Sequence, residues 1–191
     1  MTTTIRADFT ESLITYCAAT LAGHKAGSLF CYRNHPTERW AHILDELMED
    51  LGHKGLAARV LCRCSYANQI YVYRPEMLRR TLDDPQVAQF LISLGYDRLD
   101  DLDHTLSQLA AHFRDKHEFP HELGVFLDYP LADVRGFIAH GGQNYLAKGY
   151  WKIYDQADRT QKRFELFKKC SQVYLRCYRA GQPVSRLTVS A

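Results

Sequence analysis

The sequence lacks long hydrophobic runs and carries almost no net charge. No window approaches the roughly 20 uninterrupted apolar residues that a membrane-spanning helix needs, and the first residues do not join a basic segment to an apolar one as a secretion signal does. The 24 Lys and Arg residues nearly balance the 22 Asp and Glu residues, which leaves a formal charge of +2. A charge this small argues against nucleic acid as a main partner. We therefore expect a cytoplasmic protein with no membrane span.

Internal repeats, linkers and low-complexity segments are also absent. The chain has 191 residues, of which 46% are hydrophobic, and a domain of this size buries roughly 70% of the surface that the unfolded chain exposes. Folding therefore requires neither disulfides nor a structural metal. These features predict a single domain over residues 1–181 and a flexible C-terminal tail over residues 182–191.

The cysteines do not have the spacing of a secreted disulfide scaffold or of a complete zinc site. They lie mostly within apolar stretches, at positions 17, 31, 62, 64, 170 and 177. No second C-x-x-C or C-x-x-H pair completes a set of four ligands, so we expect no structural zinc. A dithiol or half of a metal site at Cys62 and Cys64, which would share one face of a strand, is the alternative to free buried thiols.

One short motif matches the H-E-x-x-H string of zinc proteases, from His117 to His121. In such proteases the two histidines lie one helical turn apart on the same face. Pro120 has no backbone N–H and holds Phe119 in an extended conformation, so a helix is predicted to begin at Pro120 rather than to run through it. The sequence therefore predicts no catalytic zinc here.

Hydrophobic periodicity predicts an α+β fold. Apolar residues recur every three or four positions from Trp40 to Leu51, which is typical of an amphipathic helix. Shorter helices are expected in the middle of the chain, and a long helix is expected from Asp158 to Gly181. Aromatic and β-branched residues predict strands at 28–33, 57–64, 69–73 and 150–154. The predicted architecture is a small antiparallel sheet of about four strands, covered by helices on one side.

Side-chain alternation divides these four strands into an apolar face and a second face rich in rings and cations. The second face is predicted to hold Phe30, Tyr32, Arg59, Leu61, Arg63, Tyr71, Tyr73, Tyr150, Lys152 and Tyr154. Arg33 and Arg74 at strand ends, and Lys25 in a turn flanked by glycines, add charge at the rim. Such a surface would suit a planar anion, because rings provide flat contact area and cations pair with phosphate or carboxylate. In the alternative, helices also cover this face and the tyrosines belong to the core.

Several segments of the sequence resemble one bacterial protein family. They are Phe119–Pro130 with the residues that follow up to Ile138, Gly149–Tyr154, Leu21–Phe30 and Tyr71–Pro75. Together they resemble the family called domain of unknown function 3793, and the likeness extends over most of residues 10–180. The resemblance implies a cytoplasmic protein of anaerobic bacteria with no assigned activity, encoded near iron-uptake or flavodoxin genes.

The resemblance also directs attention to His121 and Glu122, which follow Pro120 at a predicted helix start. Backbone N–H groups at a helix N-terminus favour an anion, and an acid–base role is one interpretation of this pair. In the other interpretation, Glu122 simply complements the helix dipole.

Three hypotheses about function follow from these patterns. The first is a binding module for a planar anionic cofactor or metabolite, haem-like or flavin-like given the iron association. The second is an enzyme for a phosphorylated or nucleotide substrate, with His121 or Glu122 as acid or base. The third is an interaction module whose basic final helix, with seven Lys and Arg against three Asp and Glu over residues 155–181, docks an acidic protein such as flavodoxin. The oligomeric state is left open.

Overall fold

The computed structural model describes residues 2–33, 39–63, 67–115 and 119–190. Its strands are β1 (Gly27–Arg33), β2 (Ala57–Arg63), β3 (Ala67–Tyr73), β4 (Ala147–Lys148) and β5 (Lys152–Ile153). Its helices are α1 (Thr2–Leu21), α2 (Arg39–Gly52), α3 (Pro75–Leu82), α4 (Pro85–Ser93), α5 (Leu102–Asp115), α6 (Leu123–Phe126), α7 (Leu131–Ala139), α8 (Ala157–Arg179) and α9 (Val184–Leu187). The predicted α+β class and the long C-terminal helix are confirmed.

The main sheet has three antiparallel strands in the order β1-β3-β2. Tyr73 of the central strand lies opposite Gly27 on one side and Ala57 on the other. Four successive residues of β3, Ile70 to Tyr73, are buried. A strand whose consecutive side chains are all buried must be covered on both faces, because neighbouring side chains point in opposite directions.

Helices α1 and α2 cover the first face of the sheet. The apolar stripe of α2, which includes Trp40 and Leu47, packs on Phe30 and on Ile70 and Val72 of the central strand. Phe9 of α1 lies edge-on to Tyr32, with ring centroids 4.8 Å apart. The helix predicted from the Trp40–Leu51 periodicity is therefore present and packs as its pattern indicates.

The second face is covered as well, and this corrects the prediction of helices on one side only. Tyr71 and Tyr73 pack with Leu78 and Leu82 of α3 and with Phe126 of α6 in a separate core. The sheet is consequently the middle layer of three. Because β3 has apolar residues on both faces, its sequence lacks the alternation of apolar and polar residues that marks a strand with one solvated face.

The predicted division of the strands into two faces is wrong for β1. Phe30 lies opposite Ile70, and Leu29 lies opposite Tyr71. Phe30 therefore shares a face with Ile70, whereas the prediction placed Phe30 on the same face as Tyr71. A slip of one residue reverses the side of every side chain in a strand. The register between β2 and β3 also shifts between Val60 and Cys62, and this bulge moves Arg63 to the face opposite that of Arg59.

Residues 150–154 do not form a fourth strand of the main sheet. Instead β5 pairs with β4 in a separate two-stranded hairpin, in which Lys148 lies opposite Lys152 and Ala147 lies opposite Ile153. Three residues, Gly149 to Trp151, connect the two strands. A Cβ on Gly149 would lie 2.3 Å from the Phe164 ring, so this turn accepts only glycine at its closest approach to α8.

The C-terminal residues, for which the sequence predicts a flexible tail, pack against the body of the protein. Val184 of α9 is buried in the core beside α1. The Arg74 guanidinium donates hydrogen bonds to the carbonyl oxygens of Thr20 and Leu21 in α1 and of Val189 near the C-terminus, at 2.7–2.8 Å. The domain therefore extends beyond the predicted boundary at residue 181. Within the described ranges, no helix is long and apolar enough to cross a membrane.

Candidate functional site

A cavity of about 440 Å³ lies between the α6–α7 segment and the β4–β5 hairpin, and we call it the hairpin cavity. Its apolar and aromatic walls consist of Leu29, Phe119, Leu123, Leu127, Tyr129, Val134, Phe137, Tyr150 and Trp151. The remaining lining residues are His121, Gly124, Asp133, Lys148, Gly149 and Lys152. A concave apolar site with a few polar groups is the usual form of a small-molecule site.

Asp133 of α7 fixes the hairpin against the rest of the protein. Its carboxylate accepts hydrogen bonds from the Trp151 indole Nε1–H at 2.7 Å, from the Tyr154 backbone N–H at 2.7 Å and from the Asp155 backbone N–H at 3.1 Å. The residue is only 2% exposed. Because all three donors belong to the hairpin or to the residues directly after it, this one side chain attaches the hairpin to α7 at three points.

Stacked rings form one wall of the cavity. The rings of Tyr129 and Trp151 are nearly parallel, with centroids 4.2 Å apart, and Phe164 of α8 lies edge-on to the indole with centroids 4.5 Å apart. Burial raises the pKa of the Tyr129 hydroxyl to about 12, so this group remains a neutral phenol at physiological pH. The wall therefore offers flat aromatic area without a negative charge.

The positive charges of the cavity come from the hairpin. The Lys152 Nζ donates a hydrogen bond to the Gly142 carbonyl oxygen at 2.6 Å and lies 5.6 Å from the Phe137 ring centroid and 5.1 Å from that of Tyr145. Lys148, which is exposed, lies directly opposite Lys152 in the ladder. The cavity therefore combines aromatic walls with two ammonium groups on one side.

His121 and Glu122, predicted together as weak catalytic candidates, point to different places. The His121 imidazole lines the hairpin cavity, with its ring centroid 4.9 Å from that of Phe137. Glu122 is buried elsewhere: its Oε1 lies 2.6 Å from Nδ1 of His112, and the Tyr96 hydroxyl donates to it at 3.4 Å. The two side chains do not form an acid–base pair in one site.

The tyrosines and arginines predicted on the sheet do not form a common surface. Tyr71 is fully buried and donates a hydrogen bond to the Phe126 carbonyl oxygen at 2.6 Å, and Tyr73 stacks on it with centroids 5.0 Å apart. Arg59 donates to the Ser107 hydroxyl at 2.7 Å, whereas the Arg63 guanidinium lies 5.7 Å from the Trp40 ring centroid on the other face. The alternative in which helices cover this surface is the one that the structure adopts.

The three rim cations are also separated from one another. Arg33 is exposed at the end of β1, and Arg74 is engaged by backbone carbonyl groups. Lys25 is buried, with its Nζ 5.4 Å from the Tyr129 ring centroid and 5.8 Å from that of Phe167. Desolvation lowers the pKa of the Lys25 ammonium to about 8. Of the residues predicted to bind a ligand, the hairpin cavity brings together Tyr150 and Lys152.

The H-E-x-x-H string lies partly outside the described residues, because residues 116–118 are not among them. Of its two histidines, the structure describes only His121. Among the residues that the structure describes, no three His, Cys, Asp or Glu side chains are grouped so that they would hold a metal ion.

A second cavity, of about 530 Å³, lies where α8 begins. Its charged groups are largely engaged with the protein itself. Arg163 donates to the Asp128 carboxylate at 2.7 Å, and Arg159 donates to the Gln156 side-chain oxygen at 3.3 Å. The hairpin cavity is the better candidate, because its lining is mainly apolar and aromatic, as is usual for a small-molecule site.

Comparison with known proteins places the chain in a family. A family model described as "Protein of unknown function (DUF3793)" matches residues 13–188. The chain belongs to the DUF3793 family. No curated protein and no solved structure matches it.

In this DUF3793 protein, the hairpin cavity is built mainly by two of the segments on which the resemblance rests. Ten of its lining residues come from them, six from residues 119–130 and four from residues 149–154. Residues 119–130 and 149–154 are separated in the chain by α7, and the bond from Trp151 to Asp133 and the Tyr129–Trp151 stack bring them together. Sequence reasoning provided no role for Asp133, Phe137 and Lys148; a lone carboxylate in the apolar run 131–139 was the available signal for Asp133.

Proposed function

We propose that this DUF3793 protein is a binding module that holds a small planar molecule with an anionic group in the hairpin cavity. The observation that carries the proposal is the pairing of the Tyr129–Trp151 ring stack with Lys148 and Lys152 in the lining of one cavity. A planar ring would pack on aromatic walls, and an anion would pair with the ammonium groups.

The dimensions of the cavity support a ligand of cofactor-fragment size. Small-molecule sites generally enclose about 300–1,000 Å³, and the hairpin cavity lies at the lower end of that range. A ring system such as that of a flavin or haem would therefore be held by one edge or face. Haem binding would also agree with the role in iron homeostasis that the family resemblance suggests.

The charge distribution supports an anionic rather than a cationic ligand. Asp133 is the one carboxylate among the described residues that line the cavity, and three N–H donors already surround its oxygens. Hydrogen bonds of this kind satisfy a buried carboxylate and reduce its attraction for a further cation. Lys148 and Lys152 then dominate the field inside the cavity.

Binding explains these features without a reaction. Among the described residues, His121 is the one imidazole in the lining, and its sequence neighbour Glu122 is engaged with His112 outside the cavity. Acid–base catalysis by the predicted pair would need both groups within reach of one substrate. The geometry therefore favours the binding module over the enzyme.

A thermal-shift screen tests the proposal. The purified chain is measured with haem, flavin mononucleotide, adenine nucleotides and aromatic carboxylates, and we expect at least one to raise the melting temperature. A ligand at a hundred times its Kd adds about 2.7 kcal/mol to stability. Tyr150→Ala should abolish the shift, because it removes one aromatic wall of the cavity. Tyr150 is 51% exposed in the folded protein.

Tyr16→Ala is the matched control, since it removes an exposed tyrosine of α1 that does not line the cavity. It should leave the ligand-induced shift intact. A screen without any stabilising compound, or a shift that survives Tyr150→Ala, would contradict binding in the hairpin cavity.

A further inference from the structure

We infer that the anionic group of the ligand is a phosphate monoester, held between Lys148 and Lys152 of the β4–β5 hairpin. The inference rests on the proposed function, because it concerns the same cavity. It goes further in naming the chemical class of the anion and the two residues that recognise it.

The first argument is the register of the hairpin. Lys148 and Lys152 are direct cross-strand partners, so their side chains leave the same face of the ladder. Like charges directly opposite each other in an antiparallel pair are destabilising. The hairpin has only two residues in each strand, and such a short ladder has little pairing energy to offset this repulsion. An anion between the two ammonium groups would turn the repulsion into attraction.

The second argument is that no carboxylate of the described residues neutralises this pair. In the part of the chain that the structure describes, neither lysine forms an ion pair with a carboxylate. Lys152 uses one N–H on the Gly142 carbonyl oxygen, and an ammonium has three donors. With respect to the described residues, two donors of Lys152 and those of Lys148 therefore remain for a ligand, and both side chains line the cavity.

The third argument concerns the charge of the ligand. Two ammonium groups in one wall match a group that carries about two negative charges. A phosphate monoester has a charge of about −1.5 to −2 at neutral pH and three acceptor oxygens, whereas a carboxylate has a charge of −1 and two oxygens. With three acceptor oxygens, the phosphate can give a separate oxygen to each lysine and a third to the His121 imidazole, which lines the same cavity.

Ring compounds that differ in their anionic group test the inference on the full chain. Phenyl phosphate, benzoate and phenol are titrated separately into ¹⁵N-labelled protein. The Trp151 indole N–H signal reports occupancy of the cavity, and Trp40, the other tryptophan of the sequence, provides an internal reference outside it. We expect phenyl phosphate to bind at least about tenfold more tightly than benzoate.

The decisive variant is Lys148→Gln, because Lys148 is exposed and its replacement leaves the Lys152–Gly142 hydrogen bond in place. It should abolish the preference for phenyl phosphate over benzoate while leaving phenol binding unchanged. Lys162→Gln, which removes an equal charge from an exposed site on α8 outside the cavity lining, should retain the preference.

Three results would overturn the inference, in two distinguishable ways. Equal binding of phenyl phosphate and benzoate, or a preference that survives Lys148→Gln, would reject the phosphate while leaving ring binding in the cavity. If none of the three compounds moved the Trp151 signal, the proposed function would fail together with the inference.

Discussion

At the scale of single residues, Asp133 is the side chain on which the geometry of the hairpin cavity depends. It is buried, and its partners are the indole of Trp151 and two successive backbone N–H groups, those of Tyr154 and Asp155. A buried donor that loses its acceptor costs about 1–3 kcal/mol. The cavity wall is therefore held by polar contacts with large energetic consequences rather than by apolar packing alone.

We expect Asp133→Ala to lower the free energy of unfolding by about 2–4 kcal/mol, because it leaves three N–H donors without their acceptor. Urea unfolding followed by circular dichroism measures the change. Asp45→Ala, at an exposed position on α2, is the control and should change stability by less than about 0.5 kcal/mol. Equal effects of the two substitutions would contradict the anchoring role of Asp133.

Lys25 is a second residue whose environment has a measurable consequence. Desolvation holds the pKa of its ammonium at about 8 in the folded protein, below the ordinary value of 10.5. Folding thus disfavours the protonated form of Lys25. The resulting loss in the free energy of unfolding is present in full below pH 8. It diminishes as the pH rises from about 8 towards 10.5, because in this range the unfolded chain binds more protons than the folded one.

The stability of the wild type relative to Lys25→Met should therefore increase with pH between about 8 and 10, by up to roughly 3 kcal/mol in total. The variant removes the titrating group, and other groups that titrate in this range largely cancel in the difference. Urea unfolding of both proteins at pH 7, 8, 9 and 10 tests this. A difference that is constant, or that moves in the opposite direction, would show that Lys25 is not desolvated in solution.

At the scale of elements, Arg74 joins the C-terminal end of α1 to the segment that contains α9. Its guanidinium bonds to the carbonyl oxygens of Thr20, Leu21 and Val189, and the Val189 N–H in turn donates to the Leu21 carbonyl oxygen at 3.0 Å. The last four carbonyl groups of a helix have no partner within the helix. Arg74 satisfies two such groups of α1 and attaches the C-terminal segment at the same point.

We expect Arg74→Lys to accelerate hydrogen exchange at the Val189 amide by at least about tenfold, because a lysine cannot reproduce the planar array of donors. Arg80→Lys, at an exposed position on α3, keeps the wild-type exchange rate. Mass spectrometry or NMR on the intact proteins measures both. If the Val189 amide kept full protection in Arg74→Lys, the attachment would have to be attributed to burial of Val184.

Some elements can be predicted from their local sequence, and others cannot. The regular spacing from Trp40 to Leu51 predicts α2, and all of its repeating apolar residues except Met48 are buried, because a single apolar stripe can face only one neighbour. The orientation of β1 could not be predicted in the same way. Leu29 and Phe30 are both large and apolar, so alternation does not distinguish the side that faces α1 from the side that faces α6.

The bulge in β2 is another feature that the local sequence does not reveal. Leu61 is the extra residue between the paired Val60 and Cys62, and no glycine or proline marks the place. It is buried against the second core, and the bulge turns Arg63 away from Arg59. Packing of Leu61 among residues distant in the chain decides this irregularity, which is why a uniform alternation failed beyond that point.

At the scale of the whole molecule, the two cores on either side of β3 leave the hairpin cavity at the edge of the second core. Leu29 and Val134 belong to that core or pack against it and also line the cavity. A ligand would thus contact residues that already contribute to folding. Its binding should stabilise the protein globally, and this is the reason that melting temperature is a suitable readout.

The sequence by itself determined the α+β class and the amphipathic helix α2, because hydrophobic periodicity is a local property. Tertiary structure alone decided that the sheet is covered on both faces, that residues 150–154 form a separate hairpin and that Lys152 contacts Phe137 and Tyr145 instead of Tyr73. These outcomes depend on contacts between distant segments, such as the bonds from Asp133 to Trp151 and Tyr154, and such contacts leave no periodic pattern in the chain.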